Sequence, residues 1–427
     1  MNFCSNIKLL VGLLGVVPVI GKAEPVSFKA DIAPILLNQC QSCHGPKKVK
    51  GDYRVDTFER AMEVGFDELH YRITTDDEDD IMPPDADPLT ADQIALFEQW
   101  KEEGEKFDGS DVSASLAEII PGRQHPDPPE SYPRAIPIIA LAFTQNGESV
   151  FTSGYREIIE WSTSDGTLLR RIKGLPERIQ SIAFNPGFSE VVVSGGNSGR
   201  SGEVRVLDFV SGDLIQLLHK SDDLNLSARY SPDGSLLATC GTDGTLRVFD
   251  SKTWKEEVVF ANHSNWINDL AWNRDGNLIV TASRDRTAKV FDIANEKRVS
   301  SYTGHDDSVH SVKFDKSGNH VHSVGADGKL LYWRAEDSHT VKELSQQSAA
   351  IFRLGASNQD NDLVLAGKIS SVVTLKAADG SELAKRSVDS PQLSLAISED
   401  QQLQAAGDSR GFVRIYNLEQ KEEIAQF

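Results

Sequence analysis

"SPDGSLLATCGTDGTLRVFD" (residues 231–250), "NRDGNLIVTASRDRTAKVFD" (273–292) and "DKSGNHVHSVGADGKLLYWR" (315–334) are one unit written three times. Each opens on a glycine turn, passes through a short apolar run, turns again after an Asp, and ends on an alternating run with an aromatic near its close. The matching position in all units is Trp161, Leu207, Phe249, Phe291, Trp333, Leu375 and Tyr416, at separations of 46, 42, 42, 42, 42 and 41 residues. Short strands repeated at this period cannot bury their apolar faces within one unit. Stacking the units does bury them, which predicts a ring of four-stranded blades. Seven units fill residues 135–427, so an all-β seven-bladed propeller is expected there, with units one, six and seven the most divergent. The last unit contains "KEEIAQF" (421–427), a fourth strand of its own, so the ring is expected to close blade against blade. The extra residues of the second unit fall in "GGNSGRSGE" (195–203), which reads as a projecting surface loop.

Outward from the repeats, the chain changes character. Residues 104–133, ending in "PGRQHPDPPESYP", are rich in Pro, Gly, Ser and charge and read as a semi-rigid domain boundary, the linker being drawn at 108–134. His125 belongs to that linker and is given no metal role. At the other end, "MNFCSNIKLLVGLLGVVPVIGKAEP" (1–25) has Lys8 before an apolar run from Leu9 to Ile20, then Gly21 and Ala23. This reads as a secretory signal cleaved after Ala23, with a retained anchor as the other reading. An exported or periplasmic location follows, and no other stretch is long and apolar enough to span a membrane. The formal net charge of −20 over 427 residues makes nucleic acid and anionic membrane surfaces poor partners.

Of four cysteines, Cys4 lies in the leader and Cys240, in "LLATCGT", reads as a buried strand residue. The other two stand in "CQSCHG" (40–45). A Cys-x-x-Cys-His spacing is the attachment signature of c-type haem: each thiol adds to a porphyrin vinyl group and the adjacent imidazole turns onto the iron. Cys40, Cys43 and His44 are therefore the expected haem-binding residues, one covalent haem c being the cofactor. The alternatives are a disulfide beside an incidental histidine, or a thioredoxin-like pair. A sixth ligand is sought among Met62, Met82 and His70. Met82 is preferred, in "DDIMPPDAD", where prolines fix the backbone. Met62, at helical spacing with Phe58 and Phe66, reads as packing, and His70 would give a bis-histidine site.

The flanks of this motif read as helices, so a small all-α domain is expected over 24–107. "FKADIAPILLNQC" spaces Ile32, Ile35, Leu36 and Cys40 on one face, with Pro34 in a first turn or at a kink. "LTADQIALFEQWKEEG" starts with a Thr90/Gln93 capping box, repeats Ile94, Phe97 and Trp100, and stops at Gly104. "DDEDD" (76–80) is a solvated loop, a docking patch for a basic redox partner, or a weak Ca²⁺ site. The lysines Lys47, Lys48 and Lys50 would form its opposite pole.

The stretch from 25 to 107 resembles the c-type cytochrome domain of Planctomycetes and related bacteria. The likeness is carried by Phe28, Pro34, Ile35 and Leu36, by Cys40, Cys43, His44 and Gly45, by Lys48, Lys50, Gly51, Val55 and Asp56, and by Met82, Pro83, Pro84, Leu89, Thr90, Ile94 and Trp100. The resemblance implies covalent haem c, His44 and Met82 as axial ligands, and electron transfer. The chain between Tyr53 and Met82 departs from it in being short and very acidic.

The repeats resemble the WD40 family. "TGHDDSV" around His305 and "ANHSNWI" around His263 match its early motif, and "FD" twice replaces its late dipeptide. The resemblance assigns His263, Ser283 and Asp285 to a structural hydrogen-bond tetrad lacking its indole because Phe291 stands there. It assigns His305, Asp327 and Trp333 to a second tetrad, with Gly325 where the hydroxyl is expected. These residues are expected to stabilise blades. His310, His320 and His322 read as solvent-exposed strand residues, a metal site being the alternative.

Together these readings describe a periplasmic c-type cytochrome whose propeller docks a redox partner protein or an envelope complex. The alternatives are an oxidoreductase whose propeller holds substrate or a second cofactor, and a non-catalytic envelope scaffold.

Overall fold

The computed structural model describes residues 25–41, 44–45, 48–49, 51, 53–63, 65–75, 77, 80–83, 88–109, 111–119, 125–356, 362–369, 371–398, 400, 402–420 and 422–427. The leader, Cys43, Lys47, Lys50, Asp76, Glu78, Asp79 and Pro84 lie outside the described residues. The chain divides between residues 121 and 122 into two compact units. Among the described residues, no helix is long and apolar enough to cross a membrane.

The first unit is a small helical domain. Helical turns run on through Phe28–Ile32, Ala33–Ile35 and Leu36–Cys40 (together α1). Pro34 lies inside this run and has no N–H to give. Wide five-residue turns flank it: the Ala33 N–H donates to Phe28 O and the Gln41 N–H to Leu36 O. The chain continues through α2 (Phe58–Ala61), α3 (Phe66–Thr74), α4 (Ala91–Glu102) and α5 (Leu116–Ile119). The expected capping box is present in α4: Thr90 N–H donates to Gln93 Oε1 at 2.9 Å and Gln93 N–H to Thr90 Oγ1 at 3.3 Å. Gly104 ends the helix at a φ of 92°, a conformation that glycine adopts without strain.

The apolar faces of α1, α3 and α4 meet in one core holding Phe28, Ile32, Leu36, Phe66, Phe97 and Trp100. Phe28 meets Phe58 edge-on at 4.7 Å and Trp100 at 5.3 Å, so aromatic area fills a domain too small for many aliphatic layers. Leu116, in the stretch read as linker, is fully buried in the same core.

In the second unit, the described residues form seven four-stranded antiparallel sheets, each built from consecutive strands. We number these blades 1 to 7: 141–172, 178–221, 225–260, 267–302, 309–346, 351–387 and 392–426. The seven marker residues all fall on the third strand of their blades. Second strands such as Leu278–Ser283 are buried almost throughout, because neighbouring blades cover both of their faces. They therefore read as continuous apolar runs rather than the alternation of a one-sided sheet. Outer strands such as Thr340–Gln346 are largely exposed.

Residues 195–203 do not form the loop read from their composition. Strands Glu190–Asn197 and Ser201–Asp208 extend through them, pairing Gly195 with Glu203 and Gly196 with Gly202. The glycines serve close backbone approach: a Cβ at Gly202 would lie 1.9 Å from Asp223 O. Glu203 on this hairpin is buried, and both Arg205 Nε (2.7 Å) and His125 Nε2 (3.1 Å) reach the same Oε2. Burial alone would raise the Glu203 pKa, but these two partners outweigh it and hold the carboxyl below its ordinary value. Farther along, the carbonyls of Pro129 and Glu130 accept from Arg171 at 2.8 and 3.1 Å, so this Pro-rich segment straps onto blade 1.

Candidate functional site

The candidate site is built where α1 ends. Cys40 is half-buried and packs against the helical core. Beyond it, Gly45 is required by space, since a Cβ there would come within 2.6 Å of Gln41 O. His44 and Gly45 pair antiparallel with Val49 and Lys48. The His44 carbonyl accepts from Val55 N–H at 2.8 Å, while its ring Nδ1 lies 3.1 Å from Tyr53 O. A carbonyl can only accept, so Nδ1 carries a proton, and in the neutral ring Nε2 is the nitrogen left with a lone pair.

Tyr53 is itself fixed. Its hydroxyl donates to Ala61 O at 2.9 Å, at the end of α2, and its ring lies 5.5 Å from that of His44. Burial, followed by the nearby Cys40 thiol, raises the pKa of its phenol. Two residues on, Arg54 grips Asp56 through two hydrogen bonds of 2.8 and 2.6 Å, and this contact holds the largely buried carboxyl below its ordinary pKa.

Met82 is half-buried and is held by α3: its N–H donates to Arg72 O at 2.8 Å. The Arg72 side chain also binds this segment, through Asp80 at 2.5 Å, and reaches back to Glu68 at 2.8 Å. Asp80 also accepts from Tyr71 at 3.1 Å, so part of the acidic run is structural. Met62 packs against the core, as its spacing suggested. His70 stacks on Phe66 at 5.7 Å with Nε2 3.5 Å from Glu98.

The structure thus brings Cys40 and His44 to one tyrosine and fixes Met82 separately on Arg72. These residues fit haem c by their chemistry: an Nε-coordinating tautomer is already set by a backbone carbonyl, and a thioether sits on a fastened backbone. Sequence reasoning missed Tyr53 and Arg72 as positioning residues. Their key contacts run through main-chain carbonyls, which any residue type supplies, so spacing carries no trace of them.

In the propeller both hydrogen-bonded sets exist, complete in blade 5 and lacking its indole in blade 4, with their hydroxyls two residues earlier than expected. His263 Nδ1 meets Asp285 at 2.8 Å and its Nε2 meets Thr281 Oγ1 at 2.7 Å, while Ser283 donates to Asn265 O. In blade 5, His305 binds Asp327 (2.9 Å) and Ser323 (2.8 Å), and Trp333 Nε1 donates to the same Ser323 at 3.1 Å. Ser323 therefore completes the tetrad that Gly325 was expected to break. Burial lowers the pKa of His263, although Asp285 opposes the shift.

The other histidines do not converge. Strand register puts His322 opposite Lys313, and His310 Nδ1 lies 2.8 Å from Ile351 O. His322 is also buried rather than exposed, stacked on Tyr332. Among the described residues no group of three or more His, Cys, Asp or Glu side chains is placed to hold a metal ion.

Comparison with known proteins agrees with both halves. Residues 40–86 match the family model for Planctomycete cytochrome C. Residues 217–250, 254–292 and 296–334 match the model for the WD domain, G-beta repeat. The chain is 42% identical over 62 residues to an uncharacterized WD repeat-containing protein of Nostoc sp., 14% of this chain and 5% of that protein. It is 25% identical over 107 residues to a periodic tryptophan protein 2 homolog of Caenorhabditis elegans, 25% of this chain and 12% of the relative. A WD repeat-containing protein, AAC3, of Dictyostelium discoideum is 24% identical over 102 residues, 24% of this chain and 20% of its own length. The chain spans a fifth or less of the length of each of these relatives.

Proposed function

We propose that this chain, a cytochrome-C-type domain joined to a seven-bladed WD-repeat propeller, is an exported, periplasmic electron-transfer protein whose small domain carries one haem c. Cys40 and Cys43 would form the thioether bonds, with His44 and Met82 as axial ligands. The observation that carries this reading is the 3.1 Å contact between His44 Nδ1 and Tyr53 O, which leaves Nε2 as the donor beside a half-buried Cys40. When bound, the haem supplies a one-electron ferrous/ferric couple. The chain's own work is to hold ligands still. Tyr53 sets the imidazole tautomer and Arg72 clamps the Met82 backbone, so little reorganisation need accompany a change of charge at the site. The propeller serves as the protein-docking platform, for a redox partner or an envelope complex. A formal charge of −20 favours a basic partner.

Purification after export with haem maturation available tests this reading. Haem retained on denaturation, together with the weak near-infrared charge-transfer band of thioether-ligated ferric iron, is the expected result. Met82→Ala should abolish that band and Met62→Ala should leave it. A band that survives Met82→Ala transfers the ligand role to Met62, and a mass equal to the bare polypeptide rejects haem c.

A further inference from the structure

The first strands of all seven blades line one polar chamber of 60 Å³ in the propeller, around Ser181, Arg229, Asp269, Ser311, Lys313 and Arg353. An outer vestibule of 290 Å³, walled largely by Ile139, Leu226, Phe352 and Leu393, shares several lining residues with it and gives an entry path. The chamber's charge is the reverse of the chain's. Arg229 from blade 3, Lys313 from blade 5 and Arg353 from blade 6 face the single carboxylate of Asp269 from blade 4, an excess of two positive charges.

The hydrogen bonds leave that excess unanswered. Asp269 accepts from Ser311 Oγ at 2.7 Å and from Ser227 Oγ at 3.4 Å. None of the three cations forms an ion pair with it or with any other carboxylate among the described residues. Arg229 donates to Ser181 Oγ at 2.6 Å and Ala228 O at 2.9 Å, and Arg353 to Phe352 O at 3.2 Å. Lys313 has no hydrogen-bond partner among the described residues. Burial pushes the pKa of both Lys313 and Arg353 down, and although Asp269 opposes the shift, Arg229 adds to it. These half-buried cations carry part of the cost of leaving water without a counter-ion, and an anion offsets it directly. A chamber of 60 Å³ has room for more than one water, which suits a small tetrahedral oxyanion. A monoanion would leave one positive charge over, whereas a dianion neutralises the site.

We propose that the propeller's central chamber binds a doubly charged tetrahedral oxyanion of the phosphate or sulfate type, held between Arg229, Lys313 and Arg353. The site stands independently of the haem.

Titration calorimetry of the full chain at low ionic strength, with inorganic phosphate, sulfate and phenyl phosphate as probes, tests it. One phosphate per chain, displaced by sulfate, is expected. Lys313→Met should weaken phosphate binding roughly tenfold or more through the lost charge-assisted contact. Asp269→Asn, by removing the chamber's carboxylate, should tighten it. Phenyl phosphate binding more tightly than phosphate would assign the vestibule to the substituent of a phosphate ester, and equal binding would assign the chamber to the free anion. No saturable binding to the wild-type chain, or an affinity unchanged in Lys313→Met, overturns the proposal. Should Lys313→Met lose its circular-dichroism spectrum, the wild-type and Asp269→Asn titrations decide.

Discussion

Gln404 is fully buried on the second strand of blade 7, and neither atom of its amide has a hydrogen-bond partner among the described residues. It lies opposite Tyr416, the blade's marker. At the matching place the other six blades put Val150, Val191, Leu237, Ile279, Val321 and Leu363 against theirs. An unsatisfied buried amide costs about 1–3 kcal/mol, so Gln404→Leu should stabilise the propeller by about 1 kcal/mol or more, read as a raised denaturation midpoint with an unchanged slope. His322 gives a pH dependence instead. Burial pushes its pKa down from 6.5 to about 4, and both ring nitrogens lack partners. The unfolded chain therefore takes up a proton that the native chain refuses, and stability falls as pH drops from 6.5 toward 4. Between about pH 8 and about pH 5 this site alone should remove about 2 kcal/mol. Urea melts of His322→Phe, which keeps a ring against Tyr332, should show that much less pH dependence; equal dependence in both proteins would refute the assignment. His322 reads from sequence as an exposed strand residue, and no motif around Gln404 marks that amide as facing the core. The Cys40–Gly45 motif that opens the family match was legible because it is contiguous, whereas Tyr53 and Arg72 act through carbonyls that leave no signature.

At the scale of elements, the α4 cap and stop were readable because both are local chemistry: a Thr90/Gln93 exchange and a left-handed Gly104 depend on a few neighbouring residues. The tetrad hydroxyls were not. Thr281 and Ser283 are two residues apart on one strand and so share a face, and only strand register brings Thr281 to His263 Nε2. The hairpin Glu190–Asn197 to Ser201–Asp208 failed for a related reason. Glycine signals a turn in sequence, yet Gly195 and Gly202 are strand residues whose missing side chains admit another backbone. Gly202→Ala should destabilise blade 2 by about 1–3 kcal/mol, because its Cβ would meet Asp223 O and Ser221 Oγ and force the strands apart. Thermal melting checks this. Gly199→Ala, at the turn with open space around it but a φ of 66°, should cost less, about 1 kcal/mol, from backbone strain alone.

For the whole propeller, a period of about 42 residues foretold seven blades but could not say what seals the seam between the last and the first. Each blade completes its own four strands, so among the described residues no exchanged strand ties the ring. Blades 7 and 1 are joined by an apolar cluster in which Leu141, Phe143 and Val150 pack against Ala405, Val413 and Ile415, with hydrogen bonds beside it. Ile138 N–H donates to Asp408 O at 3.0 Å, and Ser394 Oγ donates to Ile138 O at 2.7 Å. Phe427, paired with Val413 in blade 7, lies 5.2 Å from the ring of Trp161 in blade 1. A Cβ at Gly166 would press on that same phenyl ring, so the turn of blade 1 lies close over it. Phe427→Ala deletes the ring from a half-buried site, losing part of the 3–5 kcal/mol that truncating a fully buried Phe costs, about 1–2 kcal/mol here. Because the ring joins only blades 7 and 1, the loss should be felt first as local opening there. Amide hydrogen exchange should rise in Ser149–Ser153, Ile158–Ser162 and Val413–Asn417 while the second strand of blade 4, Leu278–Ser283, keeps its protection. Exchange that rises equally in every blade would mean that the ring opens as one cooperative unit, with no weaker joint at its seam.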